Sequence, residues 1–272
     1  MKHLLTIILL VTAITNFKAQ QQNPSVKPLV IGEIHTIKSK ILSEDRILNI
    51  YLPSTFDKTK SYPVMYVLDG TINEDFLHIT GLVQFFNMSF KMPDVIVVGV
   101  ANVDRRRDFT FPTTIADLKK DYPTTGHSDK FIKFLAEELQ PYITATFKTN
   151  GTNYLIGQSL GGLVATEILF KKPALFSHYL IVSPSLWWDD QTLMQKAAAL
   201  LANADLSKTF VYVAVGKGEH PIMIRDAMNL VDALKKLKKP TVDYEVMSDE
   251  NHATILHNSI YQAFLKLFPY KE

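Results

Sequence analysis

A serine with glycines two residues before and two after it stands at Gly157-Gln158-Ser159-Leu160-Gly161, and a further glycine follows at Gly162. The apolar run Tyr154–Ile156 precedes it. A stretch with apolar residues at three- and four-residue spacing, Leu160–Lys171, follows it. In that strand–turn–helix setting the spacing has a chemical use. Small residues let strand and helix approach closely around a strained turn, so that the hydroxyl projects at the helix N-terminus. There the Leu160 amide can face the oxyanion that develops when serine attacks a carbonyl. The pattern points to Ser159 as a nucleophile for two-step acyl transfer rather than to a glycine turn of purely structural use.

Such a serine needs a base and an orienting carboxylate, in the chain order Ser, acid, His, with the histidine after the last strand. His252 follows the run Val242–Met247 and meets that requirement. His257 falls inside the expected last helix, and the remaining histidines occupy the wrong places in the chain. Glu219, just past the run Phe210–Val215, is expected to accept the imidazole Nδ1–H and stabilise the imidazolium. Asp226 in the next helix, and the pair Asp189–Asp190, compete for that role. A second oxyanion donor is expected from Asp69-Gly70-Thr71, either the Thr71 amide or that of Gly70, with Gly70 supplying a positive φ for the turn.

Two further features bear on substrate. Arg105-Arg106-Arg107-Asp108 offers a bidentate clamp for an anionic or catecholate group, with Arg107 as the candidate, or else a solvated charge run neutralised by Asp104 and Asp108. Trp187 and Trp188 would wall an aromatic acyl pocket or pack beneath their loop. The chain has no cysteine, which removes thiolate nucleophiles, disulfides, zinc fingers and a lipidated cysteine. No clustered ligand spacing calls for a metal, and no dinucleotide glycine signature calls for a cofactor. The formal net charge of +2 gives no basic excess for nucleic acid or anionic lipid.

These residues must be positioned by the elements around them. Val30–Ile37 and Arg46–Leu52 alternate apolar with polar, as half-exposed antiparallel strands do. The later runs Val64–Leu68, Val95–Val100, Tyr154–Ile156, Tyr179–Val182, Phe210–Val215 and Val242–Met247, the last with Asp243 and Glu245 inside it, are expected to be strands covered on both faces. Helix-length periodic segments lie between them, at 75–88, 129–146, 160–171, 192–201, 223–237 and 254–267. The expected architecture is an eight-stranded, mostly parallel α/β sheet flanked by helices, with two strands added at one edge. The interval from Ser183 to Thr209 leaves no room for a large cap domain, and 101–125 is expected to be irregular.

The first nineteen residues differ in kind. Lys2 and His3 precede the apolar run Leu4–Ile14, and Ala19 precedes a polar stretch. This is the pattern of a secretory signal peptide cleaved after Ala19, too short to span a bilayer as an anchor. Removing it takes away Lys2 and Lys18 and no acid, leaving residues 20–272 formally neutral and without a stable membrane anchor. The protein is therefore expected in the periplasm or secreted.

Five segments carry a family resemblance: YVLDG (Tyr66–Gly70), GVANVDRRRDFTFP (Gly99–Pro112), FIKFLAEELQPYI (Phe131–Ile143), GQSLGG (Gly157–Gly162) and SPSLWW (Ser183–Trp188). In order, and across nearly the whole chain after residue 19, they resemble the Putative esterase family of α/β-hydrolases. That group includes esterase D, feruloyl esterases, the mycolyltransferase antigens and hydrolases of trilactone siderophores. The resemblance implies a single α/β-hydrolase domain over 20–272 and a serine hydrolase of small-molecule esters, with siderophore or aromatic-acid esters as candidates. By position, Ser159, Glu219 and His252 carry over, the acid being the member that varies among relatives. An acyltransferase would use the same groups on an acceptor alcohol. A non-catalytic binding module would have lost part of the set, which is complete here.

Overall fold

The alternating and continuous apolar runs become the eight strands of one sheet in the computed structural model, which describes residues 26–90 and 92–270. The expected leader, residues 1–19, lies outside the described residues. Met1–Ile31 separates as a unit from Gly32–Glu272, and its described part, residues 26–31, carries neither helix nor strand.

Within the second unit the strands are β1 (Glu33–Ser39), β2 (Glu44–Tyr51), β3 (Tyr62–Val67), β4 (Ile96–Val100), β5 (Thr149–Gln158), β6 (His178–Val182), β7 (Phe210–Gly216) and β8 (Thr241–Met247). Their spatial order is β1-β2-β4-β3-β5-β6-β7-β8, with β2 antiparallel to both neighbours and every other pairing parallel. The described helices are α1 (Phe76–Phe90), α2 (Arg105–Phe109), α3 (Ala116–Asp121), α4 (Ser128–Phe134), α5 (Gln140–Phe147), α6 (Leu160–Lys171), α7 (Trp188–Gln195), α8 (Ala197–Leu201), α9 (Pro221–Lys236) and α10 (Ile255–Leu267). None of them is long and apolar enough to cross a membrane.

Every residue of β3 is buried, because both faces of the sheet are covered. Val64 and Tyr66 face the layer that holds Phe131 of α4, Leu163 of α6 and Leu230 of α9. Met65 and Val67 face the opposite layer, with Phe86 of α1 and Phe264 of α10. Between β6 and β7 only α7 and α8 intervene, so no cap domain covers the sheet there.

Three expectations change in detail. The strand expected over Val30–Ile37 begins at Glu33, which pairs with Ile50; continuing that register would reach Pro53, which has no N–H. The single helix expected over 129–146 is interrupted by a π turn at Leu135–Leu139, just before Pro141, which cannot donate to the helical ladder. The stretch expected to be irregular at 101–125 contains α2 and α3. Asp104 caps α2 by accepting the Arg107 N–H at 3.0 Å.

That loop is anchored by a buried ion pair. Arg46 on β2 is fully buried, donates to Asp108 at 2.6 Å and to Glu44 at 2.8 Å, and lies against the Phe131 and Phe134 rings. Removing one partner of such a pair leaves an uncompensated buried charge. Asp108→Ala is therefore expected to cost about 3–5 kcal/mol and to lower Tm by roughly 10 °C in a thermal melt.

Because β3 to β8 run parallel, their C-terminal ends share one edge of the sheet. That edge is where open α/β sheets place ligand sites.

Candidate active site

Four of those strand ends carry the residues singled out in the sequence. Thr71 follows β3, Ser159 follows β5, Glu219 follows β7 and His252 follows β8. Ser159 has φ 60° and ψ −119°, a backbone region that side chains other than glycine rarely adopt, and its carbonyl already accepts the Leu163 N–H of α6. Such a conformation costs about 1–3 kcal/mol and persists only where its surroundings hold it. The Ser159 N–H donates to the Val182 carbonyl at 3.0 Å, and the Ser185 N–H donates to the Ser159 carbonyl at 3.0 Å, tying the turn to the end of β6.

Gly157 makes the turn sterically possible. A Cβ there would fall well inside van der Waals contact with the Gly161 carbonyl oxygen, a backbone atom that cannot swing away. Gly157→Ala is expected to force β5 and α6 apart at a cost of about 2–3 kcal/mol. A melt should show Tm lower by about 5–10 °C.

Glu219 and His252 meet. The imidazole Nδ1 donates to Glu219 Oε2 at 2.8 Å, which leaves Nε2 as the free basic nitrogen. Glu219 Oε1 accepts from the Ser183 hydroxyl at 2.5 Å and the Gly216 N–H at 2.7 Å. Burial alone would push the Glu219 carboxyl up. The hydrogen bonds from His252, Ser183 and Gly216 outweigh it and hold the group below its ordinary value. Its side chain is 1 % exposed whereas that of His252 is 47 % exposed, so one end of the pair is fixed in the protein and the other faces solvent. The His252 backbone is held as well, since its carbonyl accepts from Gln158 Nε2 at 2.5 Å.

Ser159 Oγ lies 3.3 Å from Ser185 Oγ and makes no hydrogen bond with His252. Catalytic hydrogen bonds of this kind commonly tighten only when substrate is present. The amides of Leu160 and Thr71 donate to no acceptor within the protein and remain available for an oxyanion. The Gly70 amide does not, because it donates to the Val100 carbonyl at 3.0 Å. The positive φ expected at Gly70 belongs instead to Asp69 (φ 54°). Gly70 is needed for another reason: a Cβ would run into the Gly99 backbone on β4.

Several expectations are corrected. Asp226 is buried on α9 and bonded to Arg225, and Asp189 accepts from the Thr113 hydroxyl and the Thr114 N–H, so none of these carboxylates reaches His252. Trp188 is fully buried, with its Nε1–H donated to the Phe111 carbonyl at 2.9 Å and its ring edge-on to Tyr122, and so walls no pocket. Trp187, partly exposed, does line a cavity. Arg107 spends its guanidinium on Asp108 and both oxygens of Glu44, which leaves no clamp. Arg106 lies over the Tyr122 ring and donates to the Asp121 carbonyl.

The remaining arginine has a use that the sequence did not disclose. Arg105 donates to both oxygens of Asp69, at 2.6 and 2.9 Å, and to the Gln158 carbonyl at 3.2 Å. It thus ties the loop bearing Thr71 to the residue preceding Ser159. Ser183 and Ser185 were also missed as site residues, although both stand in the SPSLWW segment at the end of β6. Among the described residues no group of three or more His, Asp or Glu side chains could hold a metal ion.

The chain is similar to known proteins over most of its length. The family model described as Putative esterase matches residues 39–260. The ferri-bacillibactin esterase BesA of Bacillus subtilis is 27 % identical over 249 residues, covering 82 % of this chain and 85 % of that protein. The structure of an IroE-like serine hydrolase from Shewanella oneidensis superposes with a TM-score of 0.79 at 29 % identity, over 87 % of this chain and 80 % of the other. That of the BES protein from Bacillus cereus gives 0.78 at 30 % identity, over 88 % and 96 %. A sheet of this order, flanked by helices on both faces and matched by a family model over most of its length, is that of a carboxylic ester hydrolase, and the chain belongs to the Putative esterase family of α/β-hydrolases.

Proposed function

We propose that the protein is an exported serine esterase that cleaves small-molecule esters through an acyl-enzyme on Ser159. The observation that carries this reading is the 2.8 Å hydrogen bond from His252 Nδ1 to the buried Glu219, which leaves Nε2 free to take a proton at the edge where Ser159 projects. Ser159 gives its proton to His252 Nε2 as Oγ attacks the ester carbonyl carbon. The amides of Leu160 and Thr71 receive the oxyanion of the tetrahedral intermediate. The alcohol leaves with the proton from His252. Water, deprotonated by the same nitrogen, then attacks the acyl-serine and releases the acid.

Relatives named as ferri-bacillibactin and enterobactin esterases support ester-linked siderophores as the first substrate class to try, ahead of esters of aromatic acids. Residues 1–19 support export with cleavage after Ala19. The test is covalent trapping with a fluorophosphonate ester followed by peptide mass spectrometry. One adduct is expected, on the peptide that contains Ser159, with hydrolysis lost in proportion. Full labelling at another residue, or ester hydrolysis that persists after complete labelling of Ser159, would overturn the reading.

A further inference from the structure

We infer that the cavity beside the proposed catalytic residues selects esters by charge, taking a neutral or, better, a cationic group and turning away an anionic one. This rests on the serine-esterase reading above. The cavity, of about 870 Å³, lies between Trp187, the turn at Asp189-Asp190-Gln191, α3 and His220, the residue next to Glu219. Trp187 stands two residues beyond Ser185, whose hydroxyl is 3.3 Å from that of Ser159, and His220 follows Glu219, so the lining lies one or two residues along the chain from side chains of the proposed site.

Its lining includes the carboxylates of Asp117, Asp189 and Asp190 and no lysine or arginine. Asp189 is held by Thr113 and Thr114. The carboxylates of Asp117 and Asp190 are exposed and make no direct hydrogen bond or ion pair. Lys119 and Lys120, beyond Asp117 on α3, and Lys196, beside Gln195, are exposed and do not line the cavity, and the nearby arginines are committed elsewhere. Arg105 is bound to Asp69, Arg106 lies over Tyr122, and Arg107 is bound to Asp108 and Glu44. Lys217 and Arg225 line a separate cavity of about 390 Å³, which Glu219 also lines; it shares no residue with the first, and Arg225 is paired with Asp226. Trp187 adds an aromatic surface, which attracts a cation over its face.

A single like charge at about 6 Å from one such carboxylate, partly screened by water, changes binding by about tenfold. The same field acts in the opposite sense on a cation. Among ester-linked iron chelates, the cavity therefore favours a neutral tris-hydroxamate over an anionic tris-catecholate.

The experiment measures kcat/KM for two matched series on the full chain. The acyl series is the p-nitrophenyl esters of 4-(trimethylammonio)butyrate, 5,5-dimethylhexanoate and succinate. The alcohol series is the acetates of choline, 3,3-dimethylbutanol and glycolate. In at least one series the order cationic, neutral, anionic is expected, with the anionic member at least tenfold below the neutral one after division by its rate of hydroxide-catalysed hydrolysis. Asp190→Asn and Asp117→Asn should each narrow the cationic-to-anionic ratio severalfold. Asp190→Lys should reverse the order, with thermal melts reporting that each variant is folded. A flat or reversed order in both series, or an order that the aspartate variants leave unchanged, would overturn the inference. Hydrolysis that survives in Ser159→Ala would instead overturn the serine-esterase reading on which it rests.

Discussion

Ser159→Ala is expected to lower kcat/KM for a p-nitrophenyl ester by about 10⁴–10⁶-fold, down to what oxyanion stabilisation and binding alone provide. The expectation follows from where the hydroxyl is held. The turn at Ser159 has φ 60°, is fixed by Gly157, and is tied at its N–H and carbonyl to the end of β6. Ser185 offers a second hydroxyl only 3.3 Å away, but it sits in ordinary loop backbone and is 2 % exposed. It should not substitute, so Ser159→Ala and the double variant with Ser185→Ala should be equally inactive. A Ser159→Ala protein within tenfold of the wild-type rate would remove the nucleophile from the mechanism.

Glu219→Gln should be nearly as damaging, with kcat lower by about 10²–10⁴-fold, and the surroundings of the carboxylate say why. Oε1 accepts two hydrogen bonds, from Ser183 and from the Gly216 N–H. A glutamine placed there must turn its carbonyl toward those donors and its NH₂ toward His252. The imidazole would then accept at Nδ1 and carry its proton on Nε2, where it cannot act as a base toward Ser159. Glu219→Ala lacks that enforced tautomer and should retain more activity than Glu219→Gln, an ordering opposite to the one expected if only side-chain size mattered. Steady-state kinetics of the two variants separates the cases.

The same carboxylate has a pH signature in stability. Its native pKa lies below its unfolded value, so the unfolded chain binds more protons in that range. The stabilisation is complete above the ordinary carboxylate range and is lost as pH falls through the lowered native value. Wild type should lose more stability than Glu219→Gln as pH falls through the ordinary glutamate range and below it. Parallel melts across that range give the comparison.

The strands were legible because burial on both faces leaves a simple trace: β3, β4, β6, β7 and the Tyr154–Ile156 part of β5 are largely apolar, and the antiparallel pair alternates, whereas β8, the outermost strand, carries Asp243 and Glu245 and is only partly buried. The serine was legible because glycine spacing around a strained turn is a steric necessity written in residue types. The placement of Ser159, Glu219 and His252 after three different strands was also readable, since each follows its own apolar run. What the sequence concealed depends on where a charge finds its partner. Three adjacent arginines look alike in a row. In the structure Arg107 is bound to Asp108 and Glu44, 63 residues away from the latter, while Arg105 bridges Asp69 and Gln158. Likewise two adjacent tryptophans part company, because Trp188 can reach the Phe111 carbonyl from beneath the loop and Trp187 cannot. The role of Gly70 was misassigned for a related reason, since its close neighbour Gly99 lies on another strand.

The hydrogen bonds converging on Glu219 come from the ends of β6, β7 and β8, and β8 is the outermost strand of the sheet. Synthesis proceeds from the N-terminus, so the proposed nucleophile, Ser159, and the proposed oxyanion donors exist on the nascent chain well before the proposed base, His252. Residues 241–267 supply β8, the histidine loop and α10 together, and until they dock the serine has no proton acceptor. The arrangement makes catalytic competence the last property the chain acquires. On the proposed mechanism, an emerging or incompletely folded molecule is expected to stay chemically silent toward esters even when most of its sheet has formed.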